Sequence, residues 1–290
     1  MFDIIKKRKI WYVISLLIIL PGLFSIFTQG FNLSIDFTGG NIIEVKFNQS
    51  VTTTQVREIV KEQGLTDNYI QQSTGNVFLI RTEAGTEKQN AQLLEQLDQK
   101  LGGLTLLRND NVGPTVGKEL TQKAVLALII AAVLMTIYIT WRFEFKQGIA
   151  AVIGIIHDLL VMLGFMSLLQ LDLDSSFVAA ILTVVGYSIN DTIIIFDRIR
   201  ENLRLKKQLP LDELINTSIW QTMARSINTV MTVLFVLVSL YLFGGTTIKH
   251  FVLILIIGVT SGMYSSIFIS STFWYDISEK KGRKKSAATA

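Results

Sequence analysis

Long apolar runs alternate with polar segments along the whole chain. Six runs are long enough to cross about 30 Å of hydrocarbon, which takes roughly 20 mostly apolar residues. They occupy residues 10–27, 124–141, 148–169, 177–196, 223–243 and 251–274. The pattern predicts an α-helical polytopic membrane protein with six transmembrane helices. The first run is longer than the apolar core of a secretory signal, so we interpret it as a retained anchor.

The polar segment between the first two runs, residues 28–120, has the size of a small independent domain. Its pattern predicts a strand, a helix, two strands joined by a hairpin turn, a second helix and a fourth strand. These elements are expected at residues 41–47, 52–64, 68–72, 76–82, 87–103 and 104–113. This order is that of an α+β ferredoxin-like domain, in which two helices cover one face of an antiparallel sheet.

The chain has 290 residues, of which 50% are hydrophobic and 17% are charged, and its net charge is +4. Its Lys and Arg residues cluster beside the apolar runs, at 6–9, 142–146, 198–207 and 280–285. Because such clusters favour the cytoplasmic side, we expect both termini in the cytoplasm, a cytoplasmic loop at about 197–222 and a basic tail at 275–290. Anionic headgroups of the lipid bilayer suffice as partners for these clusters, so no nucleic acid is expected.

Several enzyme classes lack their sequence signatures. Cysteine is absent, which excludes disulfides and thiolate chemistry. The segment GPTVGKEL resembles a nucleotide-binding loop, but only three residues separate Gly113 from Gly117, and Glu119 stands where Ser or Thr would bind magnesium. Metalloprotease, hydrolase and kinase motifs are also missing. We therefore expect no enzyme, cofactor or metal, and an energy source in a partner or an ion gradient.

Two polar residues, Asn190 and Asp191, interrupt the fourth apolar run. Asp191 lies about six residues, or roughly 9 Å, from the charged segment that begins at Asp197. Its side chain is too short to reach water, so it is expected to face the helix bundle or a wet cavity. Arg225 lies at nearly the same depth in the fifth run, with Thr229 on the same helical face. If the two helices are antiparallel neighbours, a movable Arg225 would let Asp191 switch between charged and neutral forms. We hypothesise a proton relay of Asp191, Arg225, Thr229 and Asn190.

Other interpretations of these residues stay open. Asp191 and Arg225 would also serve as a static pair that fixes helix register, and Arg225 would also reach the headgroups by itself. The group of a carboxylate, an amide and a hydroxyl also suits sodium, which leaves the coupling ion open between proton and sodium.

The third and sixth runs carry further polar or small residues. His157 and Asp158 point about 100° apart on a helix, so we expect one to face the fourth run and the other a different helix. They are possible supports of the relay, although packing alone also explains a single histidine. A stripe of small residues at four-residue intervals in the sixth run, Gly258, Gly262, Ser266 and Ser270, predicts close packing against another helix.

Six segments, in order along the chain, resemble the SecF family, the six-span subunits of the SecD-SecF complex of bacterial protein export. They are IDFTGGNIIEV, VGPTVGKEL, HDLLVMLGF, AAILTVVGYSINDTIIIFDRIREN, ARSINTVMT and FGGTTIKHFVLILIIGVTSGMYSSIFIS. The resemblance implies membership of the resistance-nodulation-division superfamily, with these helices as one half of a twelve-helix core completed by SecD. It also implies that Asp191, Arg225 and Thr229 match the family's proton path.

By the same resemblance, the function is proton-driven promotion of late steps of export through the SecYEG channel. The translocating polypeptide would be a partner, and the location would be the bacterial inner membrane. Two alternatives remain: one half of an efflux transporter of the superfamily, and a structural scaffold beside the channel.

Overall fold

The computed structural model describes residues 2–63, 67–72, 75–82, 87–142, 144–205, 208–245 and 248–288, with side chains except at 67–69, 71, 87, 114 and 280–288. Its contacts divide the chain into two compact units. One unit comprises residues 1–32 and 127–290, and the other comprises residues 33–126. The first unit holds the bulk of the apolar helices, and the second holds a small sheet.

The elements follow one another as helices and strands in this order: α1 (Arg8–Gln29), α2 (Ile35–Thr38), β1 (Gly40–Phe47), α3 (Thr53–Glu62), β2 (Asp67–Gln72), β3 (Val77–Thr82), α4 (Glu87–Lys100), β4 (Leu104–Val112), α5 (Pro114–Arg142), α6 (Phe145–Leu168), α7 (Ser175–Leu205), α8 (Leu211–Phe243), α9 (Lys249–Tyr264), a π-helical segment (Ser265–Ser270) and α10 (Ser271–Ala288).

Six helices in the described part of the chain are long and apolar enough to cross a membrane. They are α1, α5, α6, α7, α8 and the helix that runs through α9 and the π-helical segment into α10. The six predicted spans are therefore confirmed, and the chain is a multi-pass membrane protein. The helices are longer than the apolar runs: α7 reaches Leu205 and α8 begins at Leu211, so most of the loop expected at about 197–222 is helical.

Helices α1 and α6 approach each other closely at a pair of glycines. A Cβ atom built on Gly22 would lie 2.6 Å from the Cα atom of Gly164, which is closer than packed atoms tolerate. One turn further along each helix, the Ser25 and Ser167 hydroxyls form a 2.7 Å hydrogen bond. Small side chains thus bring the two backbones together, and the serines satisfy each other inside the apolar environment.

The stripe of small residues in the last span also packs as predicted, and its main partner is α7. A Cβ on Gly258 would lie 2.5 Å from Val184, and a Cβ on Gly262 would lie 3.0 Å from Ser188. The stripe then continues into the π-helical segment, where Ser266 hydrogen-bonds Thr192 of α7 at 2.8 Å. This wide turn places several serines of one helix against α6 and α7.

The small sheet has the strand order β2-β3-β1-β4, and every pairing in it is antiparallel. Helices α3 and α4 pack with the strands around one apolar core. Its buried residues are Ile43, Val45, Phe47, Val51, Val56, Ile59, Val60, Ile70, Phe78, Ile80, Leu93 and Leu97. Helix α3 begins with a capping box between Thr52 and Gln55. The six predicted elements are present in the predicted order, whereas α2 was not predicted. Residues 73 and 74 of the expected hairpin turn lie outside the described residues.

A pair of glycines, Gly39 and Gly40, leads from α2 into β1. Their φ angles are +75° and +138°, a region that L-residues other than glycine rarely occupy. A Cβ on Gly40 would lie 2.7 Å from the backbone oxygen of Thr82, so the strand β3 also leaves no room for a side chain. A Cβ atom built on Gly117, at the start of α5, would lie 3.0 Å from the Gly39 backbone nitrogen. Two of the glycine-bearing segments singled out in the sequence therefore meet in this unit.

Candidate functional site

Asp191 lies in the middle of α7 and is 3% exposed. Ser226 of α8 donates a hydrogen bond of 2.7 Å from its Oγ to Oδ1 of Asp191. The other carboxylate oxygen, Oδ2, is buried and has no hydrogen-bond partner among the described residues. A carboxylate has room for about four hydrogen bonds, so this buried group is far from satisfied.

Arg225 does not form an ion pair within 4.0 Å with Asp191, although both side chains are described. The Arg225 side chain is exposed, and its guanidinium remains close enough to Asp191 for an electrostatic interaction. Thr229 is half-buried and donates to the backbone oxygen of Arg225 at 2.9 Å, within its own helix. Asn190 is exposed. The structure thus makes α7 and α8 neighbours, but it brings Ser226, rather than Arg225, into contact with the carboxyl group.

Tyr187 adds a second hydroxyl beside this carboxyl group. It precedes Asp191 by one helical turn, and its OH lies near Thr229 and near the Asp191 carboxylate without hydrogen-bond geometry to either. Tyr187 is therefore a further polar side chain beside Asp191 and Thr229.

A second carboxylate, Asp158 of α6, is completely buried. Three serine hydroxyls donate to it, from Ser188 at 2.7 Å, Ser261 at 2.7 Å and Ser265 at 2.8 Å. The Nδ1 atom of His157 lies 3.2 Å from Asp158 Oδ1. With four hydrogen bonds, this carboxylate is as fully satisfied as Asp191 is unsatisfied, and it ties together α6, α7, α9 and the π-helical segment.

His157 extends this polar cluster toward α1. Its Nε2 atom lies 3.0 Å from Ser15 Oγ. The Ser15 hydroxyl in turn lies 3.3 Å from the Tyr264 hydroxyl, which donates to the backbone oxygen of Trp11 at 2.8 Å. Asp158 faces the fourth span and His157 faces the first, in agreement with the expectation that the two neighbours would serve different helices.

The serines that contact the two carboxylates were not among the site residues predicted from sequence. Ser226 follows Arg225 directly, and Ser188 precedes Asp191 by one turn, so each lay within a segment already selected. Their signal was position: a serine within the apolar part of a span, on the helical face that carries buried residues such as Val230, is expected to need a polar partner. In the described part of the chain, no cluster of three or more His, Cys, Asp or Glu residues has the arrangement of a metal site.

Sequence comparisons connect the chain to known proteins. The family described as "Protein export membrane protein SecD/SecF, C-terminal" matches residues 92–280, and the "SecD/SecF GG Motif" matches residues 24–51. The chain is 41% identical to the protein translocase subunit SecF of Sebaldella termitidis, over 97% of this chain and 96% of that protein. It is 43% identical to the protein translocase subunit SecF of Acidaminococcus fermentans, over 97% and 99% of the two chains.

A solved structure has the same fold. It is that of SecDF from Thermus thermophilus, a translocon-associated membrane protein, with a TM-score of 0.88 and 33% sequence identity. The match covers 96% of this chain but 39% of the solved chain, so this chain corresponds to less than half of that protein.

Proposed function

Because the chain belongs to the SecD/SecF family of protein-export membrane proteins, we propose that it acts as the SecF subunit of a protein translocase and uses the proton gradient to promote late steps of export. Its similarity to translocase subunits of that name extends over nearly the full length of both chains, which supports the role. The partners proposed with it are SecD, the SecYEG channel and the translocating polypeptide.

The observation that carries the proton-coupling part is the environment of Asp191. Its carboxyl group is buried at membrane depth, has one hydrogen bond and keeps a second oxygen without a partner. An ionised carboxylate left in this state is costly, and a proton or a moving guanidinium would remove that cost. Arg225 and Thr229 lie on the adjacent helix, so the proposed relay needs a rearrangement of side chains rather than a change of fold.

Two exposed polar residues, Asn190 and Arg225, support the proposal that a second membrane protein lies beside this bundle. Asn190 and Arg225 are both exposed at membrane depth in the isolated chain, where lipid offers no hydrogen bonds. Polar groups at that depth face protein or a wet cavity, so a neighbouring set of helices is needed there. SecD is the proposed neighbour, since the SecDF structure carries in a single chain both the part matched here and a larger remainder.

The proposed orientation has both termini and the connection between α7 and α8 in the cytoplasm, in the inner membrane of a bacterium, because basic clusters flank these positions. The sheet unit then lies on the outer side, where an emerging polypeptide would meet it. We propose a ferredoxin-like fold for this unit; its order of strand, helix, strand, strand, helix and strand supports that assignment.

Export into inverted membrane vesicles tests the coupling. Vesicles carry the chain with its SecD-type partner, and translocation of a secreted polypeptide is measured with and without an ionophore that collapses the proton gradient. We expect Asp191→Asn to abolish the part of translocation that depends on the gradient, because an amide cannot exchange a proton in this range. Replacing sodium by potassium in the buffer separates a proton from a sodium gradient.

The matched control is Asp212→Asn, a half-buried aspartate in the first turn of α8 that lies away from Asp191. It is expected to keep full stimulation by the gradient. Both variants should insert into the membrane and co-purify with the partner in normal amounts. Undiminished stimulation in Asp191→Asn would refute the coupling role and favour a scaffold.

A further inference from the structure

The hydrogen bonds around Asp158 indicate how many protons the His157–Asp158 pair holds. We infer that the His157–Asp158 pair is a second proton-binding site, which holds one proton more than a neutral imidazole beside an ionised carboxylate. The inference is independent of Asp191, whose nearest hydrogen-bond partner is on a different helix, α8.

The inference follows from a count of hydrogens. Seven hydrogen bonds form the network: three from serines to Asp158, one between His157 and Asp158, one between His157 and Ser15, one between Ser15 and Tyr264, and one from Tyr264 to the Trp11 backbone oxygen. The five hydroxyl groups supply one hydrogen each. The pair must supply the other two, one to the bond within the pair and one from Nε2 to Ser15.

A neutral imidazole with an ionised carboxylate has a single N–H and fills one of these two bonds; if Ser15 instead donates to Nε2, the 3.3 Å contact between Ser15 and Tyr264 is left without a hydrogen. With an additional proton the pair fills both, either as imidazolium and carboxylate or as an Nε2–H imidazole and a carboxylic acid. Ser265 Oγ also lies 3.2 Å from the backbone oxygen of Gly262, but its single hydrogen is counted in the shorter 2.8 Å bond to Asp158. The pattern is therefore complete with the proton and incomplete without it.

Burial favours the same state. His157 is 6% exposed and Asp158 is 0% exposed, so an unbalanced negative charge would be costly at this depth. The groups that face the pair are uncharged: Ser15 from α1, Ser188 from α7, Ser261 and Tyr264 from α9, and Ser265 from the π-helical segment. Tyr264 is the one titratable side chain among them in the described part of the chain. No cation in this set balances Asp158, and a proton on the pair does so.

Nuclear magnetic resonance of the full chain in lipid nanodiscs tests the site. The sequence has two histidines, so His250→Asn leaves His157 as the single histidine when a tag without histidine is used. ¹⁵N-labelled histidine then reports which ring nitrogens carry hydrogen, and infrared spectroscopy reports a carboxylic acid. At neutral pH we expect either an imidazolium or an Nε2–H imidazole with a carboxylic acid band that Asp158→Asn removes. If Asp158→Asn fails to fold, Ser261→Ala identifies the band by shifting it.

A neutral imidazole without a carboxylic acid band from Asp158 at neutral pH would overturn the inference. Ser15→Ala removes the acceptor of the Nε2 hydrogen, and we expect it to reduce the fraction of chains that hold the additional proton. Ser25→Ala is the matched control, because Ser25 is a buried serine of the same helix that bonds Ser167 instead. An equal response of the two serine variants would contradict the role of the hydroxyl chain. The results are separate from the export assay, so failure of either proposal leaves the other standing.

Discussion

Ser226 donates a 2.7 Å hydrogen bond to Oδ1 of Asp191 across the α7–α8 contact. Neighbouring positions on a helix point about 100° apart, and the adjacent residue, Arg225, accordingly faces the exposed side of α8. One helix thus offers the carboxylate a neutral hydroxyl in this conformation and holds a guanidinium close by. Exchanging one partner for the other would take a rotation of α8 by about 100° or a reorientation of the long Arg225 side chain.

Ser226→Ala should show how much of the coupling depends on the hydrogen bond to Asp191 and how much on the Asp191 carboxyl group itself. Without the hydroxyl, Asp191 loses the hydrogen bond that the structure describes for it, which typically contributes about 1.5–3 kcal/mol when one partner is charged. We expect gradient-stimulated export to fall but not to vanish, since the titratable group remains. The measurement is translocation into vesicles at several imposed gradients.

The control for that variant is Ser239→Ala. Ser239 lies on the same helix, is exposed and donates to the Phe235 backbone oxygen of its own helix. It should leave export unchanged. Normal export in Ser226→Ala would show that the serine is not part of the relay.

The two buried carboxylates should differ in their contributions to stability. Asp158→Asn places an NH₂ donor among three serine hydroxyls that donate to the carboxyl group, whereas Asp191→Asn disturbs a single hydrogen bond. We expect Asp158→Asn to destabilise the protein by at least about 2 kcal/mol more than Asp191→Asn. Thermal unfolding in nanodiscs gives the comparison, and equal melting temperatures would contradict it.

Gly22→Ala should disturb the packing of the first span. The new methyl group would lie 2.6 Å from the Gly164 backbone, so α1 and α6 would have to separate, at a cost of about 1–3 kcal/mol. Gly186→Ala in α7 is the matched control, because no atom lies within 4 Å of its Cβ position. Thermal unfolding should detect the first change and not the second. A wild-type melting temperature in Gly22→Ala would mean that the close approach is not needed.

Gly40→Ala should destabilise the sheet unit for two reasons. The residue adopts a φ of +138°, and its Cβ would lie 2.7 Å from the Thr82 backbone oxygen. We expect a loss of about 1–3 kcal/mol, as is typical of an L-residue in such a conformation. Faster proteolysis of the sheet unit in intact membranes would measure it.

Gly113→Ala serves as the control for the sheet unit, since this glycine has open space at its Cβ position and a φ outside the left-handed region. It should be cleaved at the wild-type rate. If both variants behaved alike, the glycine at position 40 would not be required by the backbone.

The spans and the order of elements in the sheet unit were accessible from sequence because they depend on local pattern. Apolar runs near 20 residues have few alternatives, and the alternation around Ile43, Val45 and Phe47 marks a strand with one buried face. The end of α7 was less accessible: the helix continues past its apolar part because the segment around Asn202 packs on α8, with Asn202 bonded to Ser218. That contact joins residues of two helices, and no local pattern encodes it.

For the candidate site, sequence identified the residues at membrane depth but not their partners. Asp191 was expected to be buried and it is, because an apolar run leaves a short carboxylate no route to water. Which residue of α8 meets it depends on the rotation of that helix, and a difference of one position replaces Arg225 by Ser226. The functional roles of Asp191, Arg225, Thr229 and Asn190 stay predictions for the export assay.

The π-helical segment Ser265–Ser270 lets a single span serve two sets of neighbours. Each wide turn holds about one residue more than an α-helical turn, so the helix beyond it is turned by about 100° relative to a straight continuation. Before the segment, Ser261 binds Asp158; after it, Asp276 binds Arg8 and Tyr12 at the start of α1. If the wide turn tightened to α-helical geometry, its two ends would have to twist against each other. The wide turn therefore fixes how the face that meets Asp158 is oriented relative to the face that meets the start of the first helix.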